Sequence, residues 1–256
     1  MYRGFNLVDI DDCKFPVGSK ETGEEMHSKY KAQIKTAFDD FVTPGGALNA
    51  SKMQKNWFPN INADIFISHS HRDQEKAISL AGWLKNVFKI NAFVDSCAWG
   101  FSDDLLRLVD NKFCWSEKSG FYIYEKRNRS TSHVHMMLST ALMMMIDKAE
   151  CIFFLNTPSS LLPSDTIGDS VGTTASPWIY SEVAMTKFLR KRSKGAHRGI
   201  IKEAMLKAEM ERSMVFLYDM DMGHLSDLTI DSLNKWYSSR STYETAWDAL
   251  DGLYAL

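Results

Sequence analysis

"ADIFISHS", residues 63–70, decides how this chain folds. Ala63, Ile65, Phe66 and Ile67 make a short apolar run that ends in the small and polar Ser68, His69 and Ser70. A continuous run of this length, bounded by polar residues, reads as a strand buried on both faces. The period then changes. In "DQEKAISLAGWLKNVF" (73–88) Ala77, Leu80, Ala81, Leu84 and Phe88 share one helical face, with Asp73 placed to cap the N-terminus. "INAFVDS" (90–96) returns to a strand.

The alternation continues outward from this unit. "SHVHMMLSTALMMMIDKAE" (132–150) reads as a long helix, in which Met143, Met144 and Met145 fill irregular gaps in a core. "CIFFLN" (151–156) is a third buried strand, and a loop with two Pro and two Gly follows over 157–175. "SPWIYSEVAMTKFLRKR" (176–192) begins a helix, with Ser176 as N-cap and Pro177 at the first helical position. A further helix is expected over 200–212, a fourth strand at "SMVFLYD" (213–219), a short fifth at "LNKWYSS" (233–239), and a closing helix at "TYETAWDALDGLYAL" (242–256). Residues from 97 to about 130 read as irregular, with "GFYIYEK" (120–126) as a short edge strand. Residues 1–61 read as an N-terminal helical extension and linker. Tyr30, Ile34, Phe38 and Phe41 have helical spacing within 23–42, and "TPGG" (43–46) stops that helix. Strands alternating with helices predict an α/β domain over 62–256, a parallel sheet with helices on both faces.

Composition narrows the function classes. Of 256 residues, 45% are hydrophobic, enough for one large core. Thirty basic and 32 acidic side chains nearly balance, which argues against a protein that coats nucleic acid. No apolar run approaches the ~20 residues that span a bilayer, and the first residues lack the apolar centre of a secretory signal. Cys13, Cys97, Cys114 and Cys151 are widely spaced with no CxxC pair. Reduced thiols in a cytoplasmic protein fit this pattern better than zinc ligation or disulfides.

In open parallel sheets the ligand crevice lies beyond the carboxyl ends of the strands, where the strand order reverses. That rule selects three places: the residues after Ile67, those after Val94, and the loop leading into the helix of Glu182. Trp178 and Glu182 are four apart and share a helical face. A carboxylate in the first turn of a helix is favoured in its ionised form. Such an anion beside an aromatic wall suits cleavage of an N-glycosidic bond, where the ribosyl centre becomes cationic. The pattern by itself also fits, and more simply, a helix-start Glu with Trp178 packing. In "SHSHRD" (68–73), Ser68, Ser70 and Asp73 offer hydrogen bonds, and His69, His71 and Arg72 suit an anionic ligand. The loop has neither GxGxxG nor GxxxxGK[ST] spacing. Neither its HxH nor the "HVH" at 133–135 has a further ligand at metal-site spacing, so no metal is expected. "DSCAWGFSDD" (95–104) places Asp95, the flat rings of Trp99 and Phe101, and the permissive Gly100 at the end of the second strand. A ring-binding loop and a surface loop anchored by its aromatics both fit. The basic run "FLRKRSKGAHRG" (188–199) reads as a solvated helix end.

Taken together, these residues resemble a TIR (Toll/interleukin-1 receptor) domain of the bacterial, NAD-consuming kind. "DIFISHSHRDQEKAISLAGWLK" is similar to the TIR first strand and helix, "AFVDSCAWGFSDDL" to the second strand and BB loop, and "KAECIFFLN" to the third strand. "SPWIYSEVA" resembles the W-x-x-x-E helix of catalytically active members, and "VFLYD" and "NKWYS" fit the last two strands. The likeness spans about residues 62–256, with an insertion at about 97–130. His69 stands where many members have another residue, and W-G-F-S-D-D replaces the frequent Pro-Gly-Asp-Ser of the BB loop. The resemblance implies a flavodoxin-like sheet of five parallel strands and cleavage of NAD with release of nicotinamide. Glu182 would be the catalytic residue, and Ser68, His69, Asp95, Trp99, Gly100, Phe101 and Trp178 would border the substrate. NAD enters as substrate, with no separate cofactor. The resemblance further implies self-association through TIR–TIR contacts and a role in Thoeris-like antiphage systems, where the product signals to a separate effector. No contact with membrane or nucleic acid is expected. A non-catalytic TIR interaction module and a nucleoside N-glycosidic transferase are the alternatives.

Overall fold

Ile65, Phe66 and Ile67 form the middle of a strand flanked by parallel neighbours on both sides. The computed structural model describes residues 1–32, 38–44, 46, 48–58, 61–161, 173–174, 176–193 and 218–256. In chain order the elements are β1 (Arg3–Leu7), α1 (Ser19–Lys31), α2 (Ala50–Trp57), β2 (Ile65–Ser68), α3 (Gln74–Phe88), β3 (Ala92–Val94), α4 (Ser96–Val109), β4 (Trp115–Ser116), β5 (Phe121–Tyr122), α5 (Tyr124–Lys148), β6 (Cys151–Leu155), β7 (Thr173–Thr174), α6 (Pro177–Phe188), β8 (Tyr218–Asp219), β9 (Ser226–Leu228), α7 (Ile230–Ser238) and α8 (Ala246–Tyr254). Five of the strands make one all-parallel sheet in the order β3-β2-β6-β1-β9, as the alternation of strands and helices predicts. Every residue of β2, β3 and β6 is buried, which accounts for their continuous apolar sequences. Among the described residues, no helix is long and apolar enough to cross a membrane.

The N-terminal segment is helical as expected, in α1, but it also carries a second helix, α2, where a linker was expected, and a strand of the sheet. β1 lies between β6 and β9, with Phe5 opposite Phe153 and their rings 5.6 Å apart edge to face. Arg3–Leu7 is therefore part of the sheet rather than part of an appended segment. In the flavodoxin order, 2-1-3-4-5, the fourth place belongs to the chain's fourth strand; here β1 stands there. The arginine and glycine of "RGFNL" hide this strand from a pattern search. A Cβ at Gly4 would lie 2.4 Å from the end of the Leu225 side chain, which would have to turn aside for a larger residue.

Three other expectations are corrected. Residues 97–130 are not irregular: α4 continues through a single π-type turn (Asp110–Cys114) into the β4–β5 hairpin and α5. Leu105 and Val109, four apart and buried, make α4 helical in the usual way. "LNKWYSS" lies in helix α7 rather than in a strand. Leu233 and Trp236 are buried at helical spacing, and the Thr229 side chain accepts from Ser232 N at 3.2 Å to cap the start. Of the expected fourth strand, residues 213–217 fall outside the described residues, and Tyr218–Asp219 pairs antiparallel with Thr173–Thr174, away from the main sheet. The helix expected at 200–212 also falls outside them. The closing helix is present as α8, with a complete capping box between Thr245 and Asp248.

Helices α1 and α3 cross at glycines. A Cβ on Gly82 would sit 1.7 Å from the Ser19 carbonyl oxygen, and one on Gly23 would sit 2.0 Å from that of Ile78. Backbone cannot yield as a flexible side chain does, so Gly82→Ala should push the two helices apart. We expect this substitution to destabilise by about 1–3 kcal/mol despite alanine's higher helix propensity. Urea unfolding at constant pH measures it, and a variant as stable as the parent would show that the crossing is not tight.

Candidate active site

The carboxyl ends of β2, β3 and β6 meet at the reversal of strand order between β2 and β6. Ser68 closes β2 in register with Phe154 of β6. Asp95 follows β3 and is tied to β2 by its own N–H, which donates to the Ile67 carbonyl at 3.3 Å. Helix α6 returns over the same edge. Its start follows the predicted chemistry: Ser176 Oγ accepts from Ile179 N at 3.3 Å, and Pro177 occupies the first turn. Ile179 and Val183, four apart, pack on Phe154 and Met220 in a small separate cluster. That seating turns Glu182 inward.

The result is a buried polar quartet. Ser68, His69 and Asp95 are 0% exposed and Glu182 is 1% exposed. Ser68 Oγ donates to Glu182 Oε2 at 2.5 Å. His69 Nδ1 lies 2.5 Å from Asp95 Oδ1. The Asp95 and Glu182 carboxyl groups are close enough to shift each other's titration. Beside the quartet, Thr157 Oγ1 donates to Asp73 Oδ2 at 2.6 Å, linking the turn after β2 to the residues after β6.

Burial governs the electrostatics. It lowers His69 from 6.5 to about 4, against the pull of Glu182, so the imidazole is neutral. It raises Asp95 from 3.8 to about 8. Glu182 is raised well above the usual carboxylate range, first by burial and then by the charge of Asp95. Two neighbouring buried carboxyl groups, with no Lys or Arg among the described residues paired to either, cannot both ionise near neutrality. The pair holds one proton.

This arrangement sets a pH dependence of stability. Asp95 binds its proton more tightly in the folded chain, so its contribution is complete below its ordinary 3.8 and is lost as pH rises toward about 8. His69 acts oppositely, since stability is lost as pH falls from 6.5 toward about 4. The two offset one another between those values. From about pH 6.5 to 8 the carboxyl pair acts without His69, and for the one proton it holds unfolding free energy should fall by up to about 1.4 kcal/mol per pH unit. Urea titrations across that range test this. Asp95→Asn should flatten the slope, and an equally steep slope in the variant would assign it elsewhere.

The other sequence-predicted residues are placed as follows. Trp178 is half-buried and meets the His135 ring of α5 edge to face at 5.4 Å, so it packs α6 on α5. Trp99, Gly100 and Phe101 lie in the first turns of α4, where a loop was expected, and their side chains fall outside the described residues. Gly100 has ordinary helical backbone. Glu182 is the sixth residue of α6, beyond the first turn, so the helix dipole does not set its charge. Asp73 makes no side-chain cap on α3, because its carboxylate is taken by Thr157. His71 and Arg72 are exposed. Sequence reasoning missed Thr157 and Ser160; a Thr and a Ser just after a buried strand were the signal. Among the described residues, no group of three or more His, Cys, Asp or Glu has metal-holding geometry.

No protein-family profile, no curated protein and no solved structure matches the chain.

Proposed function

We propose that this protein cleaves the N-glycosidic bond between nicotinamide and ribose in NAD, with Glu182 as the catalytic residue. The observation that carries the reading is the seat of Glu182, buried at the carboxyl edge of the sheet's reversal point and hydrogen-bonded to Ser68. The W-x-x-x-E spacing of Trp178 and Glu182 supports the same residue. As the C–N bond breaks, its electron pair stays with the ring nitrogen, and the pyridinium leaves as neutral nicotinamide. The ribosyl carbon becomes an oxocarbenium ion. A fixed carboxylate against the sugar stabilises that charge in a site from which water is excluded. Attack by water then yields ADP-ribose and a proton, while attack by a ribosyl or base group of the same or another molecule yields a cyclic or conjugated ADP-ribose. Ser68 orients the Glu182 carboxyl, and neutral His69 orients Asp95.

In this reading the product is a nucleotide signal of antiphage defence. The protein works in the cytoplasm as a self-associated TIR assembly, and a separate effector responds to the product. Because Glu182 is 1% exposed, substrate reaches it only when the crevice opens, which fits activation on assembly.

One observation favours a second reading. The neighbouring Asp95–Glu182 carboxyl pair also suits transfer of a sugar between bases of neutral nucleosides. Mass spectrometry of products after incubation with NAD, and separately with paired nucleosides and free bases, tests both. Nicotinamide release with no base exchange between nucleosides is expected. Base exchange without nicotinamide release would replace the first reading by the second, and no turnover by the assembled protein would favour a binding module.

A further inference from the structure

The β4–β5 hairpin gathers exposed aromatic side chains on an ordered frame. Nine large apolar side chains stand exposed among the described residues, and four of them, Trp115, Phe121, Tyr122 and Tyr124, fall within ten positions. Single exposed apolar residues are ordinary, but a contiguous aromatic patch marks a surface for association. Gly120 takes the left-handed φ of 69° in the turn, and its N–H donates to the Ser116 carbonyl at 2.9 Å. Ile123 N donates to the Cys114 carbonyl at 2.8 Å. The two faces of the hairpin differ, because successive residues of a strand point to opposite sides. On one face Trp115 and Tyr122 meet edge to face at 5.1 Å, and the Tyr122 hydroxyl donates to Asn111 Oδ1. The Arg127 guanidinium lies over the Tyr122 ring, held by Asp110 through Nε at 2.9 Å. On the other face Phe121 is 74% exposed. An aromatic ring presented by a frame already in place loses little freedom when it is covered.

Charge decides what the surface fits. The exposed charges nearest Phe121 in the chain are Glu117 and Lys118 in the turn and Glu125 and Lys126 at the start of α5, two of each sign. Lys112 and Arg129 stand further away on either side. A balanced set gives little field to draw a nucleic-acid backbone or an anionic lipid surface. It does suit a copy of itself. About a two-fold axis, equal steps before and after the axis meet across it, and each contact occurs twice. With the axis between Phe121 and Tyr122, Glu117 falls opposite Lys126 of the second copy, and Lys118 falls opposite its Glu125. Acid meets base in every pair.

We infer that the β4–β5 hairpin is a pairing surface for a second copy of this chain, packed about a two-fold axis at Phe121 with its acids facing the other copy's bases. Phe121 and Tyr124 are the anchors, since exposed aromatic residues at the centre of a patch carry most of the energy of an interface. The inference gives the proposed assembly a surface, in the segment that the family likeness leaves as an insertion. It rests on association and not on the chemistry of Glu182.

Sedimentation velocity of the full chain tests it. Wild type should show a concentration-dependent dimer below about 100 μM. Phe121→Ala should weaken pairing at least about tenfold, and Phe121→Asp should leave a monomer throughout that range. The Phe121 side chain stands mostly in solvent, so both variants should melt at the wild-type temperature. Charge exchange tests the register. Glu117→Lys and Lys126→Glu should each weaken the dimer, and the two together should restore it, because acid then meets base again. A wild-type monomer up to about 100 μM, a dimer that survives Phe121→Asp, or a double variant no tighter than the single ones would overturn the inference. So would capture of a monomeric wild type by polyuridine or by phosphatidylserine vesicles, which assigns the aromatic surface to a nucleic acid or a lipid. A dimer that Phe121→Asp dissociates, with no nicotinamide release from NAD by wild type, would overturn the NAD reading and leave the pairing surface standing.

Discussion

Replacing Glu182 by glutamine is expected to lower nicotinamide release from NAD by at least about 10²–10³-fold, the usual effect of removing one preorganised electrostatic group from a closed site. Glutamine keeps the shape of the side chain. Its amide oxygen can accept from Ser68 Oγ as Glu182 Oε2 does, and its NH₂ can donate to Asp95. What it cannot do is carry negative charge next to a developing cation. The fold should not suffer. The substitution removes one of two buried carboxyl groups that compete for a single proton, so thermal stability should be equal to that of the parent or higher. The pair of readouts is decisive: nicotinamide by chromatography, and a thermal melt of the same preparation. Activity within about threefold of wild type would remove Glu182 from the chemistry, well short of the effect expected of an oxocarbenium partner. Loss of activity with a large drop in melting temperature would reassign it to structure.

Trp236→Ala should cost about 3–5 kcal/mol of stability, the range for truncating a buried tryptophan or phenylalanine. Trp236 is fully buried and stacks on Phe88 with ring centroids 3.8 Å apart and planes 11° from parallel. Trp83 meets it edge to face at 6.0 Å, and the Trp236 Nε1–H donates to the Ala249 carbonyl at 2.8 Å. One side chain thus joins α7 to α3 and α8. Alanine would leave a large cavity and remove a buried hydrogen bond, two penalties that add. Trp236→Phe should keep most of the packing and lose the hydrogen bond, for about 1–2 kcal/mol. Urea unfolding of both variants measures the difference. A loss below about 1 kcal/mol for alanine would mean that the surrounding helices collapse onto the gap.

The two sites also show where sequence reasoning succeeds and where it stops. β2, β3 and β6 were legible because strands buried on both faces must be apolar throughout. The start of α6 was legible because Ser176 and Pro177 act locally, within one turn. Trp236 was misread in "LNKWYSS", since a short aromatic stretch has no period long enough to separate strand from helix. β1 was missed for a related reason. A five-residue segment with Arg3, Gly4 and Asn6 carries no strand pattern, and its place between β6 and β9 comes from pairing with residues far along the chain.

By itself the sequence determined the α/β class, the parallel sheet and the rim on which Ser68, His69, Asp95 and Glu182 lie, because periodicity and capping are local properties. Only the tertiary structure decided that these four side chains touch. Ser68 and Glu182 are 114 positions apart, and His69 and Asp95 belong to different strand ends. Burial, too, is a property of the packed whole. It is burial, rather than any helix end, that makes one proton serve two carboxyl groups at the edge of the sheet.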